Sequence, residues 1–184
     1  MRKTLITAAT FKPLEVDEVK LRPEINIAGT NDDLVIAEMI RTAIEAFEEY
    51  TGNIMCSSTW DLYLNTFPGE NFIETPGPLV SITSIKYLDT SGTEQTYTAS
   101  YYGTDLTYNP LYGRIYLKYG QSWPMTYAQD NAVYIRSVIG WASAGAIPQK
   151  VKDGMYLKIQ EKFYGLDLSD AIEECWKSYR RFPI

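Results

Sequence analysis

A chain of 184 residues is one domain's worth, or one domain with an elaboration. With 45% hydrophobic and 22% charged residues it has ordinary globular composition, which excludes a disordered chain. Its 23 acids against 17 bases give a net charge of −6, the opposite of the bias a free-standing nucleic-acid binder needs. There is no histidine, which removes Ser-His and Cys-His nucleophile systems, His-ligated metal sites and histidine acid–base catalysis.

The first residues, Met1 to Ala9, read as a flexible arm over about 1–13 or as an edge strand; their apolar part is too short for a signal peptide. A short helix is expected around 15–21, stopped by Pro23. Asn31 is the expected N-cap of the next helix, with Asp32 and Asp33 in its first turn. Ile36, Ile40, Ala43, Ile44 and Phe47 recur at helical spacing, and Gly52 ends the helix. From Ser57 the period becomes two, with Trp60, Leu62 and Leu64 alternating with Thr59, Asp61 and Tyr63. Further strands are expected at 72–75, at 80–87 with a bulge, at 95–97 after the turn Asp89-Thr90-Ser91-Gly92, and at 101–106, 114–119 and 132–139. Pro148 suits a helix N1 position, followed by the stripe Val151, Met155, Ile159 and Phe163, with Gly165 at the end. Ser169 is the expected cap of a last helix.

The fold class is therefore α+β, a small helical bundle with an inserted antiparallel β-lobe, either a sheet or a small barrel. Residues 14–55 and 148–167 form the bundle, 56–147 the lobe, and 168–184 a C-terminal helix and tail. Helix 31–51 should pack on helix 148–164 to hide both stripes. No apolar run approaches the roughly 20 residues of a membrane span, so no membrane is expected as a partner.

Glu45, Glu48 and Glu49 are neighbours on one helix face, with Arg41 placed to pair with Glu45. Nothing completes a metal site around them, so they read as a solvated or subunit-interface face. The Gly140 to Gly145 stretch lacks both the P-loop ending and the GxGxxG spacing and reads as a connector. Cys56 and Cys175 are too few for a zinc cage; two reduced, buried thiols are expected, a single disulfide being the other arrangement. No catalytic constellation, cofactor site or metal site emerges, and no enzymatic activity is expected. Of the chain's 15 tyrosines, ten fall between Tyr87 and Tyr134, inside a lobe with 4 bases and 7 acids, which favours core packing and protein contact over base stacking. Trp176, Lys177, Tyr179, Arg180, Arg181 and Phe182 mix aromatics with bases in an acidic chain. They read equally as a helix end suited to cations or as a docking peptide.

The order of several short elements is informative. Leu14 and Glu18-Val19-Lys20 lead to Asp32-Asp33 and a helix closing in Phe47-Glu48 and Thr51-Gly52. Thr59-Trp60, Leu62, Leu64 and Phe67-Pro68 follow, then Pro78 to Ile82, Ile85, Tyr87, Asp89, Gly92 and Gln95-Thr96. Gly113-Arg114-Ile115, Gly120, Trp123-Pro124, Ala132-Val133, Ile135, Gly140-Trp141, Ile147-Pro148 and Val151-Lys152 complete the series. Over about residues 14–160 the chain resembles the head–tail connector (adaptor) family of tailed phages, the head-completion type of HK97-like long-tailed phages. The stretch after Lys162 fits the family less well, and the basic run that usually follows Val-Lys is cut here to Leu21-Arg22-Pro23.

The resemblance implies a structural adaptor, a helical bundle carrying a β-lobe, that forms a ring with itself, typically of about twelve copies. The implied partners are the portal protein and a stopper or tail-completion protein, with DNA only as non-specific channel content. The implied place is the virion's head–tail interface, with the host cytoplasm during assembly. Residues 168–184 become the expected portal-docking element, and Arg41, Glu45, Glu48 and Glu49 a candidate subunit interface. An acidic ring around DNA repels the phosphates and lets the duplex slide. The other reading of the tyrosine-rich lobe is a ligand- or carbohydrate-binding β-module of a phage tail or surface protein.

Overall fold

The computed structural model describes residues 1–27, 29–109 and 112–180. In chain order the elements are β1 (Arg2–Thr7), α1 (Val16–Lys20), α2 (Asp33–Thr51), β2 (Ser58–Leu64), β3 (Phe72–Pro76), β4 (Leu79–Leu88) and β5 (Glu94–Tyr97). They continue with β6 (Tyr102–Asn109), β7 (Tyr112–Leu117), β8 (Val133–Ile139), α3 (Gln149–Tyr164) and α4 (Ser169–Trp176). The fold is α+β, as expected, and it divides into a β unit, residues 1–10 with 57–140, and a helical unit, residues 11–56 with 141–184.

The β unit holds two antiparallel sheets, a five-stranded one in the order β1-β2-β8-β4-β5 and a three-stranded one in the order β3-β7-β6. Alternation along β8 explains its central place. Val133, Ile135, Ser137 and Ile139 are buried, while Tyr134, Arg136 and Val138 between them are half-buried. Ile135 lies opposite Leu62 of β2 on one side and Ile85 of β4 on the other, so three fully buried aliphatic side chains form a row across the sheet. Each contributes about 1.5–3 kcal/mol by leaving water. One register step away Arg136 faces Asp61 and donates twice to its carboxylate, both at 2.8 Å. The bulge expected in the third strand is present, as register shifts in β4 between Leu79 and Ser81 and between Ile82 and Ser84. The two sheets approach each other at Gly113 of β7, where a Cβ would stand 2.2 Å from the Leu79 Cβ of β4. Only glycine fits there.

The N-terminal residues form the edge strand of the larger sheet. β1 pairs antiparallel with β2, Leu5 opposite Trp60, and stays exposed along its whole length.

In the helical unit α2 buries Ile36, Ile40, Ala43 and Phe47, and α3 buries Val151, Met155 and Ile159. The two helices pack on each other, and α4 packs on both. Gly52 and Gly165 end α2 and α3 in the left-handed region, at φ 74° and 66°, each donating its N–H to the carbonyl four residues back.

The helix starts depart from expectation. The N-cap position of α2 is Asp32, without a side-chain cap, and Asp33 in the first turn takes the Lys20 ammonium at 2.8 Å. Asn31 lies one residue further out. Pro148 is the residue before α3 rather than its first. Ser169 is itself inside α4, and Asp167 does the capping work by accepting from both its N–H and its hydroxyl, at 3.2 and 2.8 Å. At α4 the Asp167 carboxylate satisfies one orphan donor of the first turn, the Ser169 N–H.

Candidate functional site

The α2 candidates are Arg41, Glu45, Glu48 and Glu49. Arg41 bridges two carboxylates along the helix, Glu38 at i−3 and Glu45 at i+4, and all three side chains are exposed. Glu49 is exposed as well. Glu48 departs from this face. It is half-buried, and its Oε1 accepts the Met55 N–H at 2.8 Å, so it braces the chain that leaves α2 through Gly52. The expected carboxylate cluster is therefore split into an outer pair and an inward-turned brace. Among the described residues no group of acids and cysteines is close enough to hold a metal ion.

The C-terminal candidates are also split. Trp176 is only 2% exposed. Its Nε1–H donates to the Val151 carbonyl at 3.2 Å, and its ring stands edge-on to Phe47 at 5.6 Å and 86°. Gly154 supplies the space for it, since a Cβ there would lie 2.2 Å from Nε1. The expected accessible Trp176 face is thus core. Tyr179 is half-buried beside Phe47 and Trp141, and its carbonyl accepts from the Asn53 amide at 2.8 Å. Lys177 and Arg180 are exposed, Lys177 paired with Glu174 and Arg180 lying 5.4 Å from the Tyr50 ring centre. Arg181 and Phe182 lie outside the described residues. Among the described residues, Trp176 and Tyr179 turn inward while Lys177 and Arg180 stay exposed. The clue to Trp176 in the sequence is Gly154, a glycine inside the helix beside Met155 of the apolar stripe, which leaves a notch there.

A cleft of about 220 Å³ in the helical unit is lined by Arg22, Ile25, Asp153, Tyr156 and Gln160 among others. The Arg22 guanidinium lies 3.7 Å from the Tyr156 ring centre, and the Tyr156 hydroxyl donates to Glu18 at 2.5 Å. Burial, and then the Glu18 carboxylate, push the Tyr156 phenol up to about 12. These contacts tie α1 and its following turn to α3 and present no reactive group.

Cys56 and Cys175 form no disulfide, and Cys175 is half-exposed where two buried thiols were expected. Cys56 is buried, and burial followed by the nearby Glu48 charge pushes its thiol up to about 12.

The lobe's aromatics pack on one another. Phe67 and Trp123 stack at 4.9 Å and 4°, Tyr97 touches Trp123, Tyr101 and Tyr102, and the Trp123 indole donates to the Glu70 carbonyl at 2.9 Å. They anchor the long connection between β7 and β8.

Neither a protein-family model nor a curated relative matches the sequence. The fold, however, is similar along the whole chain to solved components of gene transfer agent particles. The neck of an empty gene transfer agent particle, computed with C6 symmetry, contains a chain matching at TM-score 0.78 and 20% identity, over 100% of this chain and 97% of that one. A chain of the virion of the native gene transfer agent particle matches at 0.78 and 21% identity, with the same coverage. The neck of the native particle, computed with C12 symmetry, contains one matching at 0.72 and 18% identity, again over 100% and 97%. The chain thus has, along its full length, the fold of a component found in particle necks.

Proposed function

We propose that this chain is a structural head-completion adaptor of a tailed phage or phage-like particle. It forms a ring with itself, of about twelve copies, that joins the portal to the stopper or tail and continues the DNA channel. The observation that carries this reading is the match over the full length of the chain, both units included, to components of particle necks solved with C6 and C12 symmetry. Two features of the chain support it. The net charge of −6 suits a conduit through which DNA must slide. The exposed cations Lys177 and Arg180, continued by Arg181, form a basic end in an acidic chain and are assigned to the portal contact.

The reading is tested by adding the purified chain to filled, portal-bearing heads and imaging the vertex by electron microscopy. A new layer of density with rotational symmetry at the portal is expected. Heads left bare at saturating concentration would overturn it.

A further inference from the structure

We propose that the outer edge of β1 pairs with the outer edge of β5 in the next copy of the chain, joining the five-stranded sheets of neighbouring subunits; this rests on the ring reading above. β1 and β5 are the two ends of the larger sheet, and among the described residues neither pairs with a further strand. Sheet edges in proteins that stay single are usually guarded by charge, proline or a covering element. β1 has no proline and is exposed throughout. Its two bases do not guard the edge, because they lie back over the neighbouring strand, Arg2 at 5.5 Å from the Tyr63 ring and Lys3 at 5.2 Å from the Trp60 ring. What remains is Thr4-Leu5-Ile6-Thr7, of which Thr4, Ile6 and Thr7 are strong β-formers, with Leu5 47% and Ile6 45% exposed.

The lengths and charges of the two edges match. The register of β1 is regular from Arg2 to Leu5 and shifts before Thr7. The regular stretch is as long as β5, which has 4 residues. The strands themselves are opposite in sign, β1 carrying Arg2 and Lys3 and no acid, β5 carrying Glu94 and no base, even though each of these side chains leans over its own sheet. Opposite charges placed across a strand pair are attractive. Lys86 of β4 holds the Glu94 carboxylate at 2.8 Å from the inner side of β5, which leaves the outer edge of β5 clear of that side chain.

The occupant is a second copy because a closed ring needs two different, complementary surfaces on each subunit, and the two ends of one sheet supply such a pair. All pairings in the sheet are antiparallel and it has five strands, so β1 and β5 run in the same direction. Neighbours in a ring of six or twelve are related by a turn of about 60° or 30°, which cannot reverse a strand. The junction is therefore parallel. A parallel ladder is slightly weaker per residue than an antiparallel one, and this one is short, so it closes when copies are held side by side.

The test uses Thr4→Cys combined with Thr96→Cys in a Cys175→Ser background, on portal-bearing heads treated with a short bis-maleimide. A ladder of cross-linked multimers is expected, with each single variant giving monomer only. Should the double variant fail to fold, the wild-type chain answers the same question. Alternate amides between Arg2 and Leu5 should exchange at least about tenfold more slowly on heads than in the free chain. Rings without a ladder, or with unchanged exchange in β1, overturn the strand junction alone. Heads that acquire no ring overturn the functional reading and the junction together.

Discussion

Gly154 and Trp176 form a matched notch and plug, and the pair makes a prediction whose sign can be checked. Replacing Trp176 with alanine removes a side chain that is 2% exposed, an edge-on contact with Phe47 and a hydrogen bond to the Val151 carbonyl. The expected cost is about 3–5 kcal/mol. Replacing Gly154 with alanine places a methyl where only 2.2 Å separates it from the indole nitrogen, so the ring or the helix must shift, at about 1–3 kcal/mol. In the Trp176→Ala background the methyl meets a cavity instead. Alanine is also favoured over glycine inside a helix by about 1 kcal/mol. There Gly154→Ala should be neutral or stabilising, giving a coupling energy of about 1–4 kcal/mol. Urea unfolding followed by far-UV circular dichroism on the four proteins measures it, since the helical unit dominates that signal. If Gly154→Ala costs the same in both backgrounds, the indole does not occupy the notch.

Reversing the charges with Lys177→Glu and Arg180→Glu should change stability by less than about 0.5 kcal/mol, because both side chains are exposed. It should weaken retention by portal-bearing heads and flatten its salt dependence; unaltered retention in a pull-down would remove the basic end from the contact. Asp89 accepts from the Ser91 hydroxyl, the Gln95 amide and the Thr93 and Ser91 N–H groups, which hold its carboxyl down at about 2 against an ordinary 3.8. A depressed folded value means the stabilisation is full above the ordinary value and is lost as pH falls from about 4 towards 2. Amide protection at Ser91 and Thr93 should fade across that window in a hydrogen-exchange titration, and protection unchanged at its lower end would contradict the assignment. Thiol labelling at mildly alkaline pH should modify the half-exposed Cys175 while Cys56 reacts only after denaturation. Equal rates by mass spectrometry would refute the burial argument.

Much of the fold is legible in local sequence. The α2 stripe, the terminating glycines Gly52 and Gly165, the Asp89 turn and the alternation of β8 are written at spacings of a few residues. Strand pairing is not. Nothing local reveals that β8, late in the chain, lies between β2 and β4, or that eight strands part into two sheets at Gly113, because those choices depend on burial shared across distant segments. The site was half legible for a related reason. An aromatic three residues from another, flanked by bases, reads as a surface stripe, and the partner that buries Trp176 lies more than twenty residues earlier on another helix. Glu48 misleads similarly, since its Met55 partner lies beyond the end of its own helix.

The route of the chain through its two units has a consequence for synthesis. The first strand belongs to the β unit, yet residues 11–56 build the helical unit before the chain returns with β2. Pairing Leu5 with Trp60 closes a loop of about 55 residues, with an entropic cost that grows only slowly with loop length. β1 leaves the ribosome about 55 residues ahead of β2 and has no partner in the sheet until β2 has followed it out. It also has β2 as its sole neighbour in the sheet, so it can peel away while β2, β8 and β4 stay paired. β1 is thus made well before the strand it pairs with, and as an edge strand it can be released without opening the rest of the sheet.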